Sequence, residues 1–303
     1  MVKKIHEILE KAQQMEPMTI AVACAQDEEV LLAVEEARSQ GIVQAILIGN
    51  VEEIISIAEV HSINLRLYTC INVLDIKEAA RLAVELVATG KAQILMKGIL
   101  DTSVILQAAL DKEVGLRSGN ILSHVAVFDL SSHYHKLLLV TDVAMNIAPD
   151  IHIKQQIIEN AVEVAKALEL INPKVAILCA KEKVDAKMGA TIDAAKLQMM
   201  NEQGEIKHCI ICGPLALDVA VSKASAQLKN INHTVAGDAD ILVCPTIEAG
   251  NILYKCLVFL TDAQSAGVIV GAKAPIVLTS RADSAQTKLN SIALSVLLAG
   301  NYA

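Results

Sequence analysis

The segment Ile94-Leu-Met-Lys-Gly-Ile-Leu-Asp-Thr-Ser-Val-Ile-Leu-Gln-Ala-Ala-Leu110 decides the fold class. A short aliphatic run ends on Lys97, Gly98 permits a turn, and Asp101-Thr102-Ser103 opens a helical pattern over Val104–Leu110. A buried strand, a turn and a capped helix in that order make a βα unit. The same alternation runs outward in both directions. Strands are expected at Thr19–Ala25, Ala45–Gly49, Leu65–Cys70, Val125–Phe128 and Leu137–Thr141, then at Val175–Ala180, Cys209–Cys212, Ile241–Pro245, Val268–Gly271 and Pro275–Thr279. Between them, Asn50 followed by Glu53 forms a capping-box-like helix start, and Gly41, Gly90 and Gly204 follow helix ends. This is the pattern of an α/β protein. Two strand pairs, Val125–Phe128 with Leu137–Thr141 and Val268–Gly271 with Pro275–Thr279, lie too close for a helical crossover, so antiparallel hairpins and mixed, mostly parallel sheets are expected.

The 303 residues predict two domains at roughly 100 to 200 residues each. Hydrophobic residues make up 53% of the chain and aromatic ones 2%, so the core is aliphatic, and so few rings argue against recognition by base stacking or aromatic caging. The net charge of -8 and the lack of a Lys/Arg tract argue against nucleic acid binding. The charge-free stretch Leu289–Ala303 is shorter than the roughly 18 to 20 apolar residues of a membrane span. The charged N-terminal segment Met1–Pro17 lacks the apolar region of a signal peptide, and a cytoplasmic location is expected. Of the seven cysteines, Cys24, Cys70, Cys179 and Cys244 border apolar runs, while Cys209 and Cys212 sit three apart in a strand and point to opposite faces. Both sets read as small buried hydrophobes in a reducing compartment. The polar connector Asp129–Lys136 marks a crossing between domains, giving a first domain of 1–132 plus 280–303 and a second of 133–279, with ligands expected in the cleft between them.

Open α/β sheets bind ligands beyond the carboxyl ends of their strands. Lys97-Gly98 with Thr102 can hold an anion at a helix start, and reads equally as an ordinary capped turn. Thr279-Ser280-Arg281-Ala282-Asp283-Ser284 carries an arginine whose fork matches phosphate, or is a solvated cap. Arg117 stands between Gly115 and Gly119, ahead of Ser123 and His124. Asp142 ends a strand, where it can orient an arginine, accept a proton or cap a helix, and Glu248-Ala-Gly-Asn251 opens another helix. His133 and His135 have metal-ligand spacing without a third ligand nearby, and no metal site is expected. Dinucleotide, P-loop, nucleophile-elbow and zincin signatures are absent. What remains is an inventory for phosphate transfer.

Several motifs in colinear order resemble the butyryl branch of the phosphate acetyl/butyryltransferase family. They are Leu95-Met-Lys-Gly98, Lys112-Glu-Val-Gly-Leu-Arg117, Leu122-Ser-His-Val-Ala126, Val140-Thr-Asp-Val-Ala-Met-Asn-Ile-Ala-Pro149, Gly237-Asp-Ala-Asp240, Ile247-Glu-Ala-Gly-Asn-Ile-Leu-Tyr254 and Val270–Ser284. The resemblance implies an isocitrate/isopropylmalate dehydrogenase-like fold and a homo-oligomer. It also implies reversible transfer of a short acyl group between coenzyme A and inorganic phosphate. Coenzyme A is then substrate and product, with no separate cofactor, and a kinase that consumes acyl phosphate is the metabolic neighbour. Ser280 and Arg281 match the family's Ser-Arg pair, placing Ser280 at the thioester and Arg281 on phosphate, with Lys97, Gly98, Thr102, Arg117 and Asn251 as further phosphate or coenzyme A contacts.

One departure stands out. Acetyl-specific relatives carry an acidic residue, proposed as the base, where this chain has Ala285-Gln-Thr287. Asp283 and Asp142 are substitutes by proximity. The rival expectations are an acetyl-specific enzyme of the same chemistry and a non-catalytic protein that binds coenzyme A or phosphate.

Overall fold

The aliphatic runs become strands enclosed on both faces. The structure, a computed structural model, describes residues 1–131, 133–279 and 283–301. In chain order the first elements are α1 (Ile5–Ala12), β1 (Met18–Ala23), α2 (Glu28–Ser39), β2 (Val43–Gly49), α3 (Val51–Val60), β3 (Thr69–Asn72), α4 (Ile76–Ala88), β4 (Ile94–Lys97) and α5 (Thr102–Ala109). There follow β5 (Ser123–Asp129), β6 (Leu138–Thr141), α6 (Ile151–Ala167), β7 (Lys174–Leu178), α7 (Gly189–Glu202), β8 (Ile210–Leu215), α8 (Leu217–Val221), α9 (Lys223–Leu228), β9 (Ile241–Val243) and α10 (Ile247–Leu260). β10 (Gln264–Val270), β11 (Ile276–Val277) and α11 (Ala285–Ala299) complete the described chain.

The chain divides into two compact units: a terminal unit of residues 6–120 and 266–303, and a central unit of 1–5 and 121–265. In the terminal unit the strand order is β3-β2-β1-β4-β11-β10. Its pairs are parallel except β10 with β11, which is the antiparallel hairpin expected from their short separation. In the central unit the order is β5-β6-β9-β7-β8, again parallel except for the β5–β6 hairpin, where Ala126 faces Val140 and Phe128 faces Leu138. The strands of each unit are therefore mixed and mostly parallel in their pairing. Every residue of β4, β5 and β6 is buried, and each strand holds a continuous apolar run rather than an alternating pattern.

The helix boundaries follow their caps. Asn50 accepts from the backbone N–H of Glu52 and Glu53, and its amide donates back to the Glu53 carboxylate at 2.7 Å. Asp27, Asp75, Asp150 and Ser284 cap α2, α4, α6 and α11 in the same way. The third strand begins later than Leu65 because Asn64 caps a short 3-10 turn at Leu65–Leu67, leaving Thr69–Asn72 to pair with β2. No described helix is long and apolar enough to cross a membrane.

Candidate active site

In the terminal unit the strand ends interlock. The Gly98 N–H donates to the Ala23 carbonyl at 2.8 Å and the Ile99 N–H to the Cys24 carbonyl at 2.8 Å. A Cβ on Gly98 would lie 2.1 Å from the Cys24 oxygen, so only glycine allows this approach. Lys97, 6% exposed, donates from Nζ to the carbonyls of Gly98 (3.0 Å) and Leu100 (3.1 Å). A fixed ammonium thus stands under the turn that leads to α5, whose first residue, Thr102, is exposed.

Arg117 is exposed and its Nε donates to the Leu110 carbonyl at 2.7 Å. Its loop is fastened to the turn between β10 and β11. Arg117 bridges Ala272 in antiparallel fashion, the Lys273 N–H donates to the Leu116 carbonyl at 2.8 Å, and the Ser118 hydroxyl donates to the Gly271 carbonyl. The structure therefore joins the Arg117 loop to the β10–β11 hairpin. Ser280 and Arg281 themselves lie outside the described residues. Asp283 is half-buried, and its carbonyl accepts from Lys288, a lysine only 2% exposed in the first turns of α11.

The central unit builds a second polar cluster where the carboxyl end of β6 meets the start of β5. The Thr141–Asp142 peptide is cis. Asp142, 3% exposed, accepts through Oδ1 from the backbone N–H of His124 (3.1 Å), Ala144 (3.0 Å) and Met145 (3.1 Å). Its Oδ2 accepts from the backbone N–H of Asn146 (3.0 Å) and from the Asn146 amide (2.6 Å). α10 closes on this loop: Gly250 comes so near that a Cβ would lie 2.2 Å from the Asp142 carbonyl oxygen, and the exposed Asn251 donates from Nδ2 to the Val143 carbonyl at 3.2 Å.

His124 sits at the centre of that cluster and is 6% exposed. Its ring meets Tyr254 of α10 edge-to-face at 6.1 Å. Burial pushes the imidazole down to about 4 against the opposing pull of Asp142, so it is neutral near pH 7. Nδ1 is buried and has no hydrogen-bond partner among the described residues. Such an atom costs about 1 to 3 kcal/mol, so its retention calls for an explanation. The one trace of this residue in the sequence is a Ser-His pair heading the apolar run Val125–Phe128. The thiol of Cys244, whose backbone N–H donates to the Thr141 carbonyl at 2.7 Å, is pushed up to about 12 by burial and by Asp142, which makes it an inert hydrophobe rather than a nucleophile.

His135 Nε2 is 2.9 Å from Asp238 Oδ1, and no group of three His, Cys, Asp or Glu among the described residues is arranged to hold a metal ion.

Two mixed α/β units thus carry Lys97, Thr102 and Arg117 in one and Asp142 and Asn251 in the other, at or near the ends of their strands. The family model described as "Phosphate acetyl/butaryl transferase" matches residues 4–81 and 74–296, and the chain belongs to that family. It is 48% identical over 301 residues to a phosphate butyryltransferase of Clostridium acetobutylicum, covering 99% of this chain and 100% of the relative. Among solved structures, it is similar to a branched-chain phosphotransacylase from Enterococcus faecalis V583, with 37% identity and a TM-score of 0.83 over 93% of this chain and 99% of that one. A 4-hydroxythreonine-4-phosphate dehydrogenase from Klebsiella pneumoniae shares the fold at 13% identity, with a TM-score of 0.56 over 93% of this chain and 99% of that chain.

Proposed function

We propose that this enzyme transfers a butyryl or branched short-chain acyl group reversibly between coenzyme A and inorganic phosphate. The observation that carries the reading is the full-length similarity to a phosphate butyryltransferase, and the chain carries Lys97, Arg117, Ser280 and Arg281 for the phosphate. In the forward direction a phosphate oxygen attacks the thioester carbonyl, the C–S bond breaks, and coenzyme A leaves as thiolate. Arg281 and Arg117 neutralise and orient the phosphate, and the fixed ammonium of Lys97 adds positive field at the turn before Thr102. Positioning and charge stabilisation of this kind supply much of the acceleration. Coenzyme A enters as a substrate and not as a resident cofactor.

Asp283 is the candidate to take or return a proton. Asp142, with both carboxylate oxygens held by N–H donors, acts in this reading as a positioning residue for the loop that carries Val143 and Asn146. A homo-oligomer, and a kinase that uses the acyl phosphate, complete the proposal.

A thiol-release assay with butyryl-CoA and phosphate tests it. The wild-type protein should release thiol only when phosphate is present, and Arg281→Ala should lower kcat/KM for phosphate by at least a hundredfold, the order expected when a charged contact to the reacting group is lost. Phosphate-dependent release at the wild-type rate in Arg281→Ala would sink the assigned role. Acetyl-CoA turned over in preference to butyryl-CoA would instead assign the enzyme to the acetyl branch.

A further inference from the structure

The polar groups around His124 are already matched to one another. Thr141 Oγ1 donates to the His124 carbonyl at 3.0 Å, and Asp142 is occupied by its backbone and Asn146 donors. The Asn146 amide also reaches the Leu122 carbonyl at 2.9 Å, and the Ser123 hydroxyl accepts from Asn160 at 2.9 Å. His124 is pinned through its own N–H and C=O, and its ring is braced by Tyr254. Nδ1 is the one buried side-chain nitrogen or oxygen left without a partner among the described residues. A phenylalanine would fill such a position without the penalty of an unpaired nitrogen. The atom lies at the carboxyl edge of the parallel strands, where sheets of this class receive ligands.

We propose that His124 is a substrate-recognition residue whose Nδ1 hydrogen-bonds an uncharged polar group of the acyl-pantetheine arm of acyl-CoA, the thioester carbonyl or a pantetheine amide, and not the phosphate. The inference rests on the acyl-CoA reading given above. A neutral imidazole offers no charge to a phosphate dianion, whereas it meets a carbonyl or an amide through either tautomer. The pinned backbone and braced ring hold the nitrogen in place before the substrate arrives, which lowers the ordering cost of binding.

Two experiments test this. The first uses full-length protein labelled with 15N-histidine, the His124 Nδ1 resonance being assigned by its loss in His124→Asn. It should move on addition of CoA or butyryl-CoA and stay in place with inorganic phosphate alone. A response to both coenzyme A ligands identifies an amide contact, and a response to butyryl-CoA alone identifies the thioester. No response to either, or a response to phosphate alone, overturns the proposal. The second compares kinetics. His124→Phe should lose about tenfold in kcat/KM for butyryl-CoA, as for one hydrogen bond, with KM for phosphate within about twofold of wild type, and His124→Asn should recover most of the loss. Unchanged constants in His124→Phe would show that the nitrogen is satisfied by water only. Equal losses for both substrates, without rescue by asparagine, would make His124 purely structural. If His124→Phe fails to fold, the spectra of the wild-type protein still decide. A wild-type protein that binds CoA through His124 yet releases no thiol would count against the catalytic reading alone.

Discussion

At the scale of single residues, close approach and chemistry meet at Gly250. The Asp142 carbonyl lies where its Cβ would be, and the obstacle is backbone held by the ladder of bonds to the Asp142 carboxylate. Gly250→Ala should therefore push α10 off the loop and cost about 3 kcal/mol, at the upper end of overpacking penalties. Gly189 provides the control. It opens α7, nothing lies within 4 Å of its would-be Cβ, and its φ is not in the left-handed region. Gly189→Ala should be neutral or stabilise by up to about 1 kcal/mol, through the smaller freedom of the unfolded chain. In denaturant titrations the unfolding free energies of the two variants should move in opposite directions or differ by about 3 kcal/mol or more. Equal shifts would show that the Asp142 loop yields to a methyl group and is not the rigid support described above.

At the scale of elements, α11 shows how polar residues can belong to a helix that is buried over most of its length. Its position after the Ser-Arg stretch was legible from the Ser284 cap. The residues from Lys288 to Ala299 are all buried, so the three serines and asparagines on it are interior groups with structural partners. Ser291 is the clearest case: its hydroxyl donates to the Thr287 carbonyl at 2.8 Å and accepts from the Gly267 N–H of β10 at 2.9 Å. Ser291→Ala would strand that N–H against the helix and should cost about 1 to 3 kcal/mol, read as a lower denaturant midpoint, whereas Ser291→Thr, which keeps the hydroxyl, should recover part of it. A midpoint unchanged by Ser291→Ala would mean that the Gly267 N–H finds another acceptor. The two hairpins were likewise legible, because connector length alone forbids a crossover, and so were the capped helix starts. The 3-10 turn at Leu65–Leu67 was not, since its aliphatic residues fit a strand as well and only the Asn64 cap selects the turn. In the candidate site, Lys97, Gly98 and Arg117 could be picked out because a strand end or a glycine frames each one. His124 could not, for its significance lies in the exhaustion of every neighbouring partner, which is a tertiary fact.

At the scale of the whole molecule, the Gly237-Asp-Ala-Asp240 motif sits at the opposite end of the central unit's parallel strands from the Asp142 loop. It precedes β9 at the amino edge of the central parallel strands, where Lys136 Nζ stands 2.6 Å from Asp240 and 3.1 Å from Asp238, and Lys174 and His135 also contact Asp238. The Lys174 N–H donates to Asp240 at 2.7 Å, so the cluster also ties the starts of β7 and β9 together. Burial tends to raise the Asp238 carboxyl, but the bonds and charges of Lys174 and Lys136 outweigh it and take the group down to about 2. An unfolded chain releases that proton near the ordinary value of 3.8. The folded state thus gains from the ionised form at any pH above the unfolded value, and the gain is lost as pH falls from there through the folded value. Asp238→Asn removes the titrating group, so it should destabilise the protein by a constant amount above about pH 5, and the gap to wild type should narrow steadily toward about pH 3. Urea midpoints of both proteins across that range provide the check. A gap that stays constant or widens in acid would show that Asp238 keeps its proton affinity on folding, and that the lysines beside it hold the strand starts by geometry rather than by charge.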